Sequence, residues 1–186
     1  DNGCQASAGP VTITEPTLVV ATMGLPTMVT CNGDADGSVT VTGSGGTVAG
    51  DYTYLWSNGQ TTATAIGLSP GSYTVTITDD NGCQASAGPV TITEPTLVVA
   101  TMGSPSMVSC NGGSDGSVTV TGSGGTVAGD YTYLWSNGQT TATATGLVAG
   151  SYTVTITDDN GCQASAGPVT ITEPTLVVAT MGLPTM

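Results

Sequence analysis

Lysine, arginine, histidine and phenylalanine are all missing from this chain, while aspartate and glutamate total 13. Each absence excludes something. A chain with no cation has nothing to neutralise phosphates, which argues against nucleic-acid binding, and nothing to hold an anionic membrane surface. No ion pair can form between its side chains. Every carboxylate must therefore be solvated, hydrogen-bonded or bound to a metal cation. Without histidine or lysine no cysteine or serine has a neighbouring base, so nucleophilic catalysis lacks its activating partner. Without lysine an intramolecular Lys–Asn isopeptide bond is impossible. No run approaches the ~20 apolar residues of a membrane helix. The adjacent pair Asp79-Asp80 would point to opposite faces of an extended strand, so it does not form a paired acid and base. These observations predict no catalysis.

What is present is threonine, about one residue in five, together with valine and 28 glycines. Threonine and valine favour strands, whereas glycine, asparagine and aspartate favour turns. The composition is that of an all-β protein. The stretch DNGCQASAGPVTITEPTLVVATMG occurs at residues 1, 80 and 159, which sets a period of 79 residues and makes the chain a tandem array. The period divides it into 1–16, the C-terminal strand of a preceding module; 17–95 and 96–174, two whole modules; and 175–186, the first strand of a following module. The reading is a section of a longer polymer.

Within 17–95, Leu18 to Thr22 reads as a first strand after Pro16. A polar loop follows, containing Cys31 to Gly37. Ser38 to Thr42 alternates with period two, placing Val39 and Val41 inward. Tyr52 to Trp56 is the aromatic strand. Asn58-Gly59 makes a tight turn, and Thr61 to Ala65 forms the next strand. Tyr73 to Thr78 alternates again, Asn81-Gly82 turns, and a last strand opened by Cys83 carries Val90 and Ile92 inward. Short strands with turn signals about every ten residues predict tandem immunoglobulin-like β-sandwich modules. Trp56 stands at the core position of the third strand and Tyr73 at a tyrosine corner. The expected core aromatics are Tyr54, Trp56 and Tyr73, with Tyr133, Trp135 and Tyr152 in the second module.

The five cysteines are Cys4, Cys31, Cys83, Cys110 and Cys162. Zinc would need close pairs or histidine partners, so all five are disulfide candidates in an oxidising exterior. Pairs Cys31–Cys83 and Cys110–Cys162 would staple each module, contributing about 4 kcal/mol in the chain-entropy model. Simple sandwich topology places those two regions at opposite poles, which leaves a link between neighbouring modules open. Asn32, Asp34 and Asp36 offer oxygen ligands at alternate positions, as at the start of a calcium loop. The second copy keeps only Asn111 and Asp115, and the closing glutamate is missing. A solvated turn is the plainer reading. No cofactor is expected, and calcium is the one cation these loops could take.

The two modules differ at eight positions: Leu25/Ser104, Thr27/Ser106, Thr30/Ser109, Asp34/Gly113, Ala35/Ser114, Ile66/Thr145, Ser69/Val148 and Pro70/Ala149. These cluster in the first loop and at the corner before Tyr73. Leu183-Pro184-Thr185 follows the first module rather than the second, which hints at an alternating pair.

Three stretches together resemble the SprB-type repeat: Cys31 through Ser38, Tyr52 through Gly59, and Gly71 through Cys83. The closing Thr-Ile-Thr-Glu-Pro at Pro95 fits as well. That resemblance implies an exported protein of the cell surface, of the kind found in very long adhesins of gliding Bacteroidota, with a role in attachment or motility and no catalytic residues. The function expected is a structural repeat section of a long extracellular fibre or adhesin stalk. The alternative is a multivalent module that binds glycans or surfaces, assisted by calcium. The expected partners are neighbouring modules of the same chain and further fibre strands. The short link from Ile92 to Leu97 predicts a stiff array advancing roughly 35–45 Å per module.

Overall fold

A computed structural model describes residues 2–182; the comparison drawn at Leu183, Pro184 and Thr185 lies outside them. Among the described residues every regular element is a strand, and the chain divides into two compact units. One is Asp1–Thr27 with Gly37–Ile92, and the other is Met28–Asp36 with Thr93–Met186. The boundary differs from the sequence period at residues 28–36, which belong with the second unit. Backbone and side-chain bonds explain this: Val29 N–H donates to Thr93 O, Gly33 N–H to Glu94 Oε2, and Asn32 Nδ2 to Pro95 O.

The first unit has six strands: β1 (Val20–Met23), β2 (Gly37–Ser44), β3 (Thr53–Trp56), β4 (Thr64–Leu68), β5 (Gly71–Thr78) and β6 (Gln84–Ile92). They form two antiparallel sheets, ordered β1-β2-β4 and β3-β5-β6. The second unit repeats this with β7 (Val99–Met102), β8 (Gly116–Ser123), β9 (Thr132–Trp135), β10 (Thr143–Leu147), β11 (Gly150–Thr157) and β12 (Gln163–Ile171), in sheets β10-β8-β7 and β12-β11-β9.

Period-two alternation explains which face is inside. On β2 Val39 and Val41 are buried while Thr40 and Thr42 are exposed; on β5 Val75 and Ile77 are buried. Trp56 and Trp135 are each 2 % exposed, the largest buried side chains of their units. Each indole N–H is satisfied, Trp56 donating to Thr62 O and Trp135 to Thr141 O at 2.8 Å. The other aromatics are less enclosed. Tyr152 is buried, whereas Tyr54, Tyr73 and Tyr133 are half-buried. The phenols of Tyr73 and Tyr152 donate to Ser69 O and Val148 O, four residues back.

The fourth strand begins later than the alternation suggests, at Thr64 rather than Thr61. Residues 60–62 are engaged elsewhere. Thr62 O accepts from Trp56, and the Gln60 amide clips both the N–H and the C=O of Ile66. The ladder to β2 therefore starts at Thr64, opposite Thr40. Gly43 is a position where a side chain has no room: a Cβ there would lie 2.6 Å from the Tyr52 ring.

The end segments behave differently from their internal copies. Residues 5–13 repeat the sequence of β6 yet form no strand, and among the described residues no second β5-like strand is free to pair with them. Residues 175–181 repeat 96–102 but likewise stay unpaired, with Val177 92 % exposed where Val98 is 6 %.

Candidate functional site

The chemistry-bearing residues gather at two kinds of place, a carboxylate-organised turn and a cysteine cleft. The turn follows β5. The Asp79 side chain is buried, and its Oδ1 accepts from Asn81 N–H at 3.0 Å and Cys83 N–H at 2.7 Å. Its Oδ2 accepts from Thr47 N–H at 2.8 Å. Asp80 reaches the same loop through Ala49 N–H. Asp158 and Asp159 do the same with Asn160, Cys162, Thr126 and Ala128. In a chain without cations, backbone N–H groups replace the missing positive partner.

The Thr47 N–H is the largest cause holding Asp79 below the ordinary carboxylate range, with Cys83 and Asn81 adding to it against burial. At Asp158 burial pushes the other way, and the N–H donors of Thr126, Cys162, Asn160 and Gly161 outweigh it. A carboxyl whose pKa is lowered by folding stabilises the fold above its unfolded pKa, and that contribution is lost as pH falls through the folded value. The thermal midpoint should thus stay level from neutral pH to about 5 and fall below about 4. Asp79→Asn with Asp158→Asn, which places an amide NH₂ against N–H donors, should lower the midpoint by several degrees at pH 7 and flatten the acid limb. A melt as steep in acid as that of the parent would refute this role.

Four of the five residues proposed as calcium ligands make hydrogen bonds within the chain, and Asp34 lines the cleft beside Asn32. Asp36 Oδ1 accepts from Thr30 N–H, and Thr30, chiefly through its side chain, holds Asp36 below the usual range. Asp115 has the same relation with Ser109. Asn32 and Asn111 act as donors, to Pro95 O and Pro174 O. Among the described residues no three carboxylates, cysteines or histidines are grouped as a metal would require. Glu94 and Glu173, which the sequence did not single out, are the acids that hold these loops, accepting from Gly33 and Gly112 N–H. The absence of cations was the signal: an acid drawn out of solvent had to find an N–H donor.

The cysteine pairing corrects the stapled-module expectation. Cys31 is bonded to Cys162, with Cα atoms 5.6 Å apart and 131 residues between them in sequence. Neither Cys31–Cys83 nor Cys110–Cys162 forms. Cys4, Cys83 and Cys110 are exposed thiols. The bond thus joins the loop of one sequence repeat to the β11–β12 turn of the next, which is the alternative that spacing alone left open. Beside it Asn160 Nδ2 donates to Thr30 O at 3.3 Å. The cleft around the bond is lined by Asn32, Asp34, Leu97, Val98 and Gln163. Asp34 brings a carboxylate to this cleft, beside the bonded cysteines.

A comparison with curated proteins finds no match. The sequence pattern of the SprB repeat family does match, at 26–61 and again at 103–140. The first match covers the Cys31 loop, β2 and β3, and the second covers the Cys110 loop, β8 and β9. Two stretches of this chain, residues 26–61 and 103–140, are thus similar to the SprB repeat.

Proposed function

We propose that this chain is a structural section of a long fibre or adhesin stalk on the cell surface, built from immunoglobulin-like modules. The observation that carries the reading is the Cys31–Cys162 bond, which joins residues of two consecutive sequence repeats within one compact unit and needs an oxidising compartment. The sheet orders, the buried Trp56 and Trp135 and the Tyr73 and Tyr152 corner bonds support the immunoglobulin-like assignment. SprB repeats occur in cell-surface proteins, which favours the exterior. The partners on this reading are repeats of the same chain and parallel fibre strands.

Immunogold labelling of intact cells with an antibody to this chain should decorate extended surface fibres, with an axial repeat of roughly 35–45 Å or twice that. Label that appears only after the cells are permeabilised would overturn the surface assignment. The reading needs no cofactor, and Asp36 and Asp115 are already engaged by the Thr30 and Ser109 N–H groups. Excess chelator should leave the thermal midpoint of the purified chain unchanged. A drop of several degrees would instead restore the loop of Asn32, Asp34 and Asp36 as a calcium site.

A further inference from the structure

The Cys31–Cys162 bond lies in a cleft whose walls all belong to the second unit. Its two sulfurs are not equally open. Cys162 is buried, whereas Cys31 is half-buried and shares the cleft with the exposed Asp34. The charges around the bond have one sign. Asp34 is held to Cys31 by a turn in which its N–H donates to Cys31 O at 3.1 Å. Asp158 lies behind Cys162 and accepts that residue's N–H at 2.8 Å. Asp36 and Glu94 fasten the loop through Thr30 N–H and Gly33 N–H. The Thr30 carbonyl oxygen stands 3.5 Å from Cys162 Sγ. With no lysine, arginine or histidine in the chain, no side chain offsets these charges. The turn itself does not need the Asp34 carboxylate: the second repeat makes it with glycine, Gly113 N–H donating to Cys110 O at 2.9 Å.

We propose that this cleft is a charge filter over the disulfide: it turns away anionic thiols such as glutathione and admits small cationic thiols, so the chemical class of the reductant decides whether the joint opens. Asp34 sets the filter. A neighbouring positive charge lowers a cysteine's pKa, and a sulfur of low pKa leaves readily. This bond has no such neighbour. Negative charge beside it opposes both the arrival of the attacking thiolate and the growth of charge on the departing sulfur. One unit charge at contact distance in water changes such a rate about fivefold. Glutathione brings further carboxylates to the cleft, whereas cysteamine brings an ammonium.

The covalent step is thiol–disulfide exchange. A small thiolate attacks Cys31 Sγ, forms a mixed disulfide there and expels the Cys162 thiolate. A second small thiolate attacks the outer sulfur of the mixed disulfide, which forms the small disulfide and expels the Cys31 thiolate. Two small thiols are oxidised, the cystine is reduced to two cysteines, and the two thiol protons pass to those cysteines. The inference goes beyond the fibre reading: it concerns the bond's own chemistry and is tested on the purified chain, whereas that reading is tested on cells.

In the whole chain the exposed thiols of Cys4, Cys83 and Cys110 are first blocked with iodoacetamide. Release of the Cys162 thiol is then followed by timed alkylation and mass mapping after chymotrypsin, with chelator present. Each thiol's rate is divided by its rate on uncharged hydroxyethyl disulfide, which removes intrinsic nucleophilicity. At low salt cysteamine should be at least about tenfold faster than glutathione on this scale, and about 1 M salt, where charges are screened within about 3 Å, should close most of that gap. Asp34→Asn should raise the glutathione rate about three- to fivefold and barely move the cysteamine rate. Asp34→Gly, which reproduces the second repeat, should do the same, and an unchanged thermal midpoint in either variant shows that the fold is kept. Equal scaled rates for the two thiols at low salt, the result that burial alone would give, or a glutathione rate that neither Asp34 variant changes, would each overturn the proposal.

Discussion

Cys162→Ser is expected to lower the thermal midpoint of the second unit by roughly 10–20 °C. The bond closes a separation of 131 residues. In the chain-entropy model, constraint of an unfolded loop that long is worth about 5 kcal/mol, and native strain usually trims such gains to about 3–5 kcal/mol. Local packing adds to this, because Cys162 is buried and Cys31 packs against the same core as Val98 and Trp135. A reducing agent acting on the parent should reproduce the effect. Cys83→Ser and Cys110→Ser, which remove exposed thiols bonded to nothing, should leave the midpoint of the monomer within about a degree. If Cys162→Ser melted like the parent, the bond would be ornamental and the covalent-joint reading would fail with it.

The second large effect belongs to the core. Trp135→Ala should destabilise the second unit by about 3–5 kcal/mol, measured by urea unfolding. Its ring is 2 % exposed, its strand β9 runs beside β11 with Trp135 opposite Val154, and few other large side chains are available to fill the gap. Phenylalanine is absent from the chain and leucine sparse, so each module places much of its apolar volume in one indole. Trp135→Phe should cost less, about 1–3 kcal/mol, since it keeps most of the ring but leaves Thr141 O without its indole donor. Trp56→Ala should act on the first unit in the same way. A cost below about 1 kcal/mol for Trp135→Ala would mean that the sheets are held by something other than this core.

The part of this protein legible in its sequence is the part governed by near neighbours. Strand alternation at Val39 and Val41, or at Val75 and Ile77, follows from the two-residue period of an extended backbone, which needs no knowledge of what lies opposite. The Asn-Gly turns at Gly59 and Gly82, whose positive φ glycine accepts readily, are local in the same sense. The 79-residue repeat is visible by inspection. Tertiary structure decided the rest. Identical cysteine environments recur at every period, so no spacing argument could choose between Cys83 and Cys162 as the partner of Cys31; only the folded position of the 28–36 loop does. That loop joins the second unit because Thr93, Glu94 and Pro95 satisfy its backbone and its asparagine, a set of bonds across more than sixty residues. Asp79 and Asp158 look in sequence like surface acids of a turn. They are buried because the glycine loops at Gly46 and Gly125 approach so closely that a Cβ there would meet the carboxylate, and the N–H groups of those loops supply the positive charge that the composition lacks.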